Sequence, residues 1–157
     1  MFGLQKERIE MSDPVVLMKT NKGDIKINIA LKDAPITSQN FLDLVNKGFY
    51  NGLTFHRHEP GFCLQGGCPQ GTGMGGSGKN IKLEIAPNLK HDKEGVIAMA
   101  RANDPNSASS QFYFTLGNAS FLDGNYAVFG RIADEDGLAV LKKLGKGDKM
   151  VDVSVQQ

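Results

Sequence analysis

The chain reads as a mainly β protein, a closed β-barrel with helical caps, and three observations carry that expectation. Short segments rich in β-branched and aromatic residues recur along its 157 residues, with apolar and polar positions alternating. Only two stretches carry helical spacing. No internal repeat or Pro/Ser-rich linker divides the chain, whose length suits one domain with a real core. Many short strands with few helices close readily into a barrel, which removes exposed sheet edges.

Taken in order, residues 1–13 (MFGLQKERIEMSD) read as a polar leader, compatible with a short helix, and Met11 offers a second start. Residues 14–157 form the single domain. Val15–Lys19 and Ile25–Ile29 are expected strands, and the intervening Asn21–Asp24 has hairpin-turn chemistry. Pro35 suits a first helical turn, and Phe41, Leu44 and Val45 then fall on one face. Gly48 stands where a left-handed cap would end that helix. Leu53–His56, Phe62–Gln65 and Ile81–Ile85 are shorter strand candidates. Val96–Ala100, Phe112–Leu116, Ala127–Ile132 and Met150–Val155 are clearer ones. A second helix is expected from about Asp134 to Leu144, acidic at its start and basic at its end. Leu138, Leu141 and Leu144 form its stripe.

Composition narrows the function classes. Lys and Arg number 18 against 17 acidic residues, a net charge of +1, which argues against a dedicated nucleic-acid binder. Apolar runs are too short to cross a bilayer, and the N-terminus lacks a signal-peptide core, so a cytoplasmic location is expected. The only cysteines are Cys63 and Cys68, whose disulfide would close a very small loop. Two free thiols in a reducing compartment fit better.

Two stretches carry the chemistry: FHRHEPGFCLQGG (Phe55–Gly67) and VIAMARANDPNSASSQFYFTL (Val96–Leu116). Arg57 stands beside apolar Phe62 and amide-bearing Gln65, and the second stretch adds Gln111 and a run of aromatics. Together they suggest an apolar pocket beside a fixed cation, suited to an extended peptide. The decoys fall away. Gly71, Gly73 and Gly76 satisfy GxGxxG, and Gly73–Lys79 satisfies GxxxxGK, but Asn80 follows where a hydroxyl is needed. No helix follows either, which leaves a mobile surface loop that could flank a groove. His56, His58, Cys63 and Cys68 lack zinc-site spacing, so no metal is expected. Ser107, Ser109 and Ser110 sit in turn chemistry rather than in a nucleophile elbow.

These stretches, joined by FLDGNYAVFG (Phe121–Gly130), resemble the cyclophilin family of peptidyl-prolyl cis–trans isomerases. The resemblance spans Val15 to Val155. QGGCP and the GDKMVDVSV ending are similar to small bacterial members. It implies an eight-stranded antiparallel barrel capped by two helices. It implies Arg57 as the catalytic arginine, with Gln65 and His56 as polar groups beside it. The proline pocket would comprise Phe62, Cys63, Tyr113 and Leu122. Gln111 would border the site, Ala100, Arg101 and Ala102 would run along the substrate backbone, and Phe121 and Tyr126 would close the far side. No cofactor is implied. The implied partners are proline-containing peptides and unfolded or folding proteins, with the chain a monomer.

The chain also departs from the family pattern. Cys63 stands where many members carry methionine, widening the pocket. Tyr113 stands where phenylalanine is usual, and its buried hydroxyl needs a partner. Phe121 and Tyr126 replace the tryptophan and histidine of cyclosporin-sensitive eukaryotic members, so weak cyclosporin binding is expected. His58–Glu59 replaces an apolar pair, a local surface change.

Overall fold

The computed structural model describes residues 13–156. The leader expected over residues 1–13 lies outside the described residues, Asp13 excepted.

Eight antiparallel strands form one strongly curled sheet: β1 (Val15–Thr20), β2 (Gly23–Ile29), β3 (Phe55–Glu59), β4 (Cys63–Gly66), β5 (Val96–Met99), β6 (Phe112–Thr115), β7 (Val128–Ile132) and β8 (Met150–Gln156). Their order across the sheet is β3-β4-β6-β5-β7-β2-β1-β8. The two ends of this sheet meet through a short seam. Thr54 bridges Lys149, Phe55 N–H donates to Asp148 O at 2.9 Å, and Gly147 N–H donates to Phe55 O at 2.8 Å. The seam pairs the two edges over residues 52–55 and 147–150.

The expected β1–β2 hairpin pairs in register from Val15 opposite Asn28 to Thr20 opposite Gly23. Ile81–Ile85 is not a strand. A single bridge joins Ile81 to Ala108, and the next backbone groups turn to side-chain partners, Leu83 N–H donating to Asn106 Oδ1. Alternation alone does not make a strand where no neighbour presents a ladder.

Helix α1 (Pro35–Asn46) begins with the expected proline, and Gly48 takes a φ of +73° just beyond its end. Its N-terminal donors are capped from afar. Glu84 accepts from Thr37 N–H at 2.8 Å and Ile36 N–H at 3.1 Å, placing a carboxylate at the positive end of the helix. Helix α2 (Glu135–Lys143) is capped locally by Asp134, whose Oδ1 accepts from Gly137 N–H at 2.9 Å. Inside the barrel Phe41, Tyr50, Phe55, Phe112, Phe114 and Phe129 are fully buried, with edge-to-face contacts such as Phe41–Phe112 at 5.6 Å. Among the described residues no helix is long and apolar enough to cross a membrane.

Candidate active site

The period-2 rule divides the strands into an inner and an outer face. Leu64, Ile97, Met99, Phe112 and Phe114 enter the core, while Cys63, Ala98, Tyr113 and Val128 gather in a second apolar cluster on the opposite face. Pairing then lines up the site. Arg57 lies opposite Gln65, Gln65 opposite Tyr113, Tyr113 opposite Ala98, and Ala98 opposite Val128. One row across five strands thus carries the cation, an amide and an apolar floor.

Arg57 joins that row because of an irregularity. Phe55 pairs with Gly66 and Arg57 with Gln65, so His56 is an extra residue without a partner. In a regular strand Arg57, two residues after inward-facing Phe55, would point into the barrel. The bulge at His56 reverses that parity and turns the guanidinium outward.

A chain of amides orients it. Arg57 Nη1 donates to Gln65 Oε1 at 3.2 Å, and Gln65 Nε2 donates to Gln111 Oε1 at 2.9 Å. Gln111 Nε2 is anchored on the carbonyls of Gly73 and Gly75 at 2.8 and 2.9 Å. The guanidinium also lies 5.8 Å from the Phe62 ring centre and 3.7 Å from Glu59 Oε1. It is held on one flank and open on another.

Beside Arg57 lies a cavity of about 290 Å³ lined by Phe62, Cys63, Gln65, Ala100, Arg101, Tyr113, Leu122 and Tyr126. A second cavity of about 240 Å³ adjoins it, sharing Gln65, Ala100 and Arg101 and adding Gly73–Gly75, Ala102, Ser107, Ser109 and Gln111. The two lobes form a groove with the Gln65–Arg101 ridge between them. Arg101 is a staple: its Nε donates to Asn125 O at 3.0 Å, its Nη1 to Ala102 O at 2.8 Å, and it lies 4.7 Å from the Tyr126 ring centre. Ala100 N–H is committed to Gln111 O and Ala102 N–H to Ser107 Oγ. Of those three consecutive N–H groups, Arg101's alone is left for a peptide among the described residues.

Other expected residues stand at the margins. Phe121, in the 3-10 turn Ser120–Leu122, is 72% exposed, its ring 5.5 Å from that of Phe62. It forms a rim rather than a wall. His56 lines neither cavity, and it lies next to Gly73. Burial and then the Arg57 charge push its pKa down, so the ring is neutral beside the cation.

The glycine-rich segment, expected as a mobile loop, is tied down. Cys68 Sγ accepts from Gly73 N–H at 3.3 Å and Gly75 N–H at 3.2 Å, and Ser77 N–H donates to Ser109 Oγ at 2.9 Å. Burial would raise the Cys68 thiol, but the surrounding backbone N–H groups outweigh it and lower its pKa to about 6. Cys63 goes the other way, its thiol pushed up by burial. Both thiols are free, and among the described residues no group of three or more His, Cys, Asp or Glu side chains could hold a metal.

Sequence reasoning missed His91 and Asp123. His91 is fully buried, its Nε2 2.8 Å from the Tyr113 hydroxyl and its Nδ1 2.8 Å from Asp123 Oδ1. The only signal was the unmet hydroxyl of Tyr113, which asked for a partner without naming one.

Comparison with known proteins gives one answer. The family model described as cyclophilin type peptidyl-prolyl cis-trans isomerase/CLD matches residues 15–157. A Helicobacter pylori peptidyl-prolyl cis-trans isomerase is 48% identical over 131 residues, covering 83% of this chain and 80% of the relative. One from Synechococcus elongatus is 42% identical over 139 residues, covering 88% and 94%. The crystal structure of a Cryptosporidium parvum cyclophilin type isomerase, obtained in the presence of the dipeptide Ala-Pro, superposes with a TM-score of 0.84. It is 33% identical, with 91% of this chain and 99% of that one covered. With this fold and a family match over nearly its whole length, the chain belongs to the cyclophilin-type peptidyl-prolyl cis–trans isomerases.

Proposed function

We propose that this isomerase accelerates rotation about Xaa-Pro bonds by stabilising the twisted amide through Arg57, without covalent chemistry. The observation that carries the reading is the single cross-strand row in which Arg57 and Gln65 abut the apolar cavity floored by Tyr113.

Rotation about an Xaa-Pro bond faces a barrier of about 18–20 kcal/mol because the nitrogen lone pair is conjugated with the carbonyl. Uncatalysed exchange takes tens to hundreds of seconds, slow enough to limit folding. Twisting the bond localises the lone pair on the prolyl nitrogen. A guanidinium N–H directed there stabilises the twisted state more than either planar form, which is what catalysis requires. Arg57 spends one Nη1 donor on Gln65 and keeps others for substrate. Phe62, Cys63, Tyr113 and Leu122 grip the ring, and the Arg101 N–H holds the adjoining backbone while the remaining peptide turns. Gln65 and Gln111 orient the cation, and His56 supports the loop carrying Gly73.

The partners this implies are proline-containing peptides and folding proteins. Cyclosporin would bind weakly, because Phe121 presents no N–H donor. Arg57→Ala tests the reading, with exchange in an Xaa-Pro peptide followed by NMR. The side chain is about half exposed and its ion pair with Glu59 spans 3.7 Å, so the fold should survive. Turnover should fall by about 10²–10³-fold, the effect of removing one preorganised donor. Near-normal exchange would refute the role of Arg57. Peptide binding to the wild type without faster exchange would leave only a binding module.

A further inference from the structure

Tyr113 carries a hydroxyl on the floor of an apolar pocket, and the way that hydroxyl is satisfied has consequences. Its partner is His91, fully buried and stacked on the Tyr113 ring at 5.9 Å and 14°. Asp123 Oδ1 lies 2.8 Å from His91 Nδ1 and also accepts from the His91 backbone N–H at 2.8 Å. Burial opposes ionisation of Asp123, but the two His91 contacts outweigh it and hold its pKa below the usual carboxylate range.

An ionised carboxylate only accepts, so His91 carries a proton on Nδ1. With that single proton on the ring, Nε2 is an acceptor and the Tyr113 hydroxyl donates to it across 2.8 Å. In that arrangement the direction of every hydrogen bond is set. Asp123 directly follows Leu122, in the segment that also supplies Tyr126 to the pocket. The relay thus joins the pocket's strand wall, Tyr113 on β6, to its opposite wall on residues 119–126. It also occupies the only proton Tyr113 could offer a ligand.

We propose that Asp123 and His91 are positioning residues that lock Tyr113 as an apolar wall, setting how tightly the prolyl ring is gripped. This rests on the reading of that cavity as the proline pocket. Arg57 stands two strands away, opposite Gln65. The relay therefore acts on grip and leaves the chemical step alone.

The test is a KM-against-kcat split on one Xaa-Pro peptide. Asp123→Ala and His91→Leu should each raise KM by about tenfold, because the hydroxyl loses its buried acceptor or its orientation. Their kcat should stay within about twofold of wild type. Adding Tyr113→Phe to His91→Leu removes the stranded hydroxyl and should recover most of the lost KM, a rescue that a merely structural histidine would not show. Wild-type KM in either single variant, a fall in kcat at unchanged KM, or no rescue would each overturn the proposal. Should His91→Leu fail to fold, the wild-type protein still decides: long-range ¹H–¹⁵N spectra must show His91 as the Nδ1–H tautomer, and a proton on Nε2, in the other tautomer or in the imidazolium, would overturn it. Arg57→Ala, run alongside, separates the two readings, because full turnover there defeats the Arg57 mechanism while leaving the KM results to judge the relay.

Discussion

Deleting His56 asks whether the bulge is one surplus residue or something the packing depends on. Gly66 and Gln65, the partners of Phe55 and Arg57, are adjacent on β4, so without His56 the two residues of β3 are adjacent too and pair as a regular ladder. Phe55 then stays in the core and Arg57 on the outer face, because neighbouring residues of a strand point to opposite sides. Phe55 is fully buried and packs on Phe112 and Phe114, each at 6.5 Å, so its loss from the core would cost about 3–5 kcal/mol. That loss would lower the melting temperature by roughly 6–20 °C, at about 2–4 °C per kcal/mol for a chain of this size. The deletion variant should be spared it and melt within about 4 °C of wild type. Calorimetry and a coupled Xaa-Pro assay would measure both consequences. Most of the wild-type kcat should survive per folded molecule. A fall of about 6 °C or more would refute the reasoning, because Phe55 would then have left the core instead of pairing in a regular strand.

Two other outcomes follow from the same structure. Asp148 lies at the barrel seam, where Asn21 donates to its Oδ1 at 3.0 Å while Gly145 N–H and Lys22 reach Oδ2 at 2.7 and 3.1 Å. The Asn21 contact first, and then those of Gly145 and Lys22, hold its pKa below the carboxylate range against the opposing effect of burial. A depressed carboxylate contributes stability that is full above about pH 4 and is lost as pH falls through the folded pKa. Asp148→Asn should therefore be less stable at pH 7 by about 1–3 kcal/mol, with the difference shrinking in urea titrations below pH 4. A deficit independent of pH would contradict the assignment. Phe121→Trp restores an indole N–H on an exposed rim and should raise cyclosporin affinity by about tenfold. The chain has no other tryptophan, so ligand quenching of its fluorescence reports on that site, and inhibition of wild-type and variant turnover supplies the comparison. An equal inhibition constant would show that Phe121 is not what limits binding.

Periodicity along the chain was enough to find both helices and most of the strands, because apolar alternation is a local property that the backbone reads directly. In FYFT the strand period separates Phe112 and Phe114 from Tyr113, but which face meets the core is shown only by the packed sheet. Ile81–Ile85 alternates equally well yet finds no partner strand, since Glu84 is drawn off to cap α1 and Leu83 to pair with Asn106. Closure was inferred from strand number, but the seam depends on Phe55 meeting Asp148, residues 93 positions apart.

The residue types of the site are written in the sequence: two arginines, two glutamines and a set of aromatics in a recognisable order. Motif spacing also argued against a nucleophile elbow and a standard phosphate loop. What only the tertiary structure decided is direction and partnership. The bulge at His56 determines which face Arg57 takes, and a one-residue change of parity is invisible to any local pattern. His91 meets Tyr113 across 22 residues and Asp123 across 32, at spacings that no helix or strand period produces. Periodicity comes from the backbone's own geometry, whereas register and buried polar partners come from packing the whole chain at once.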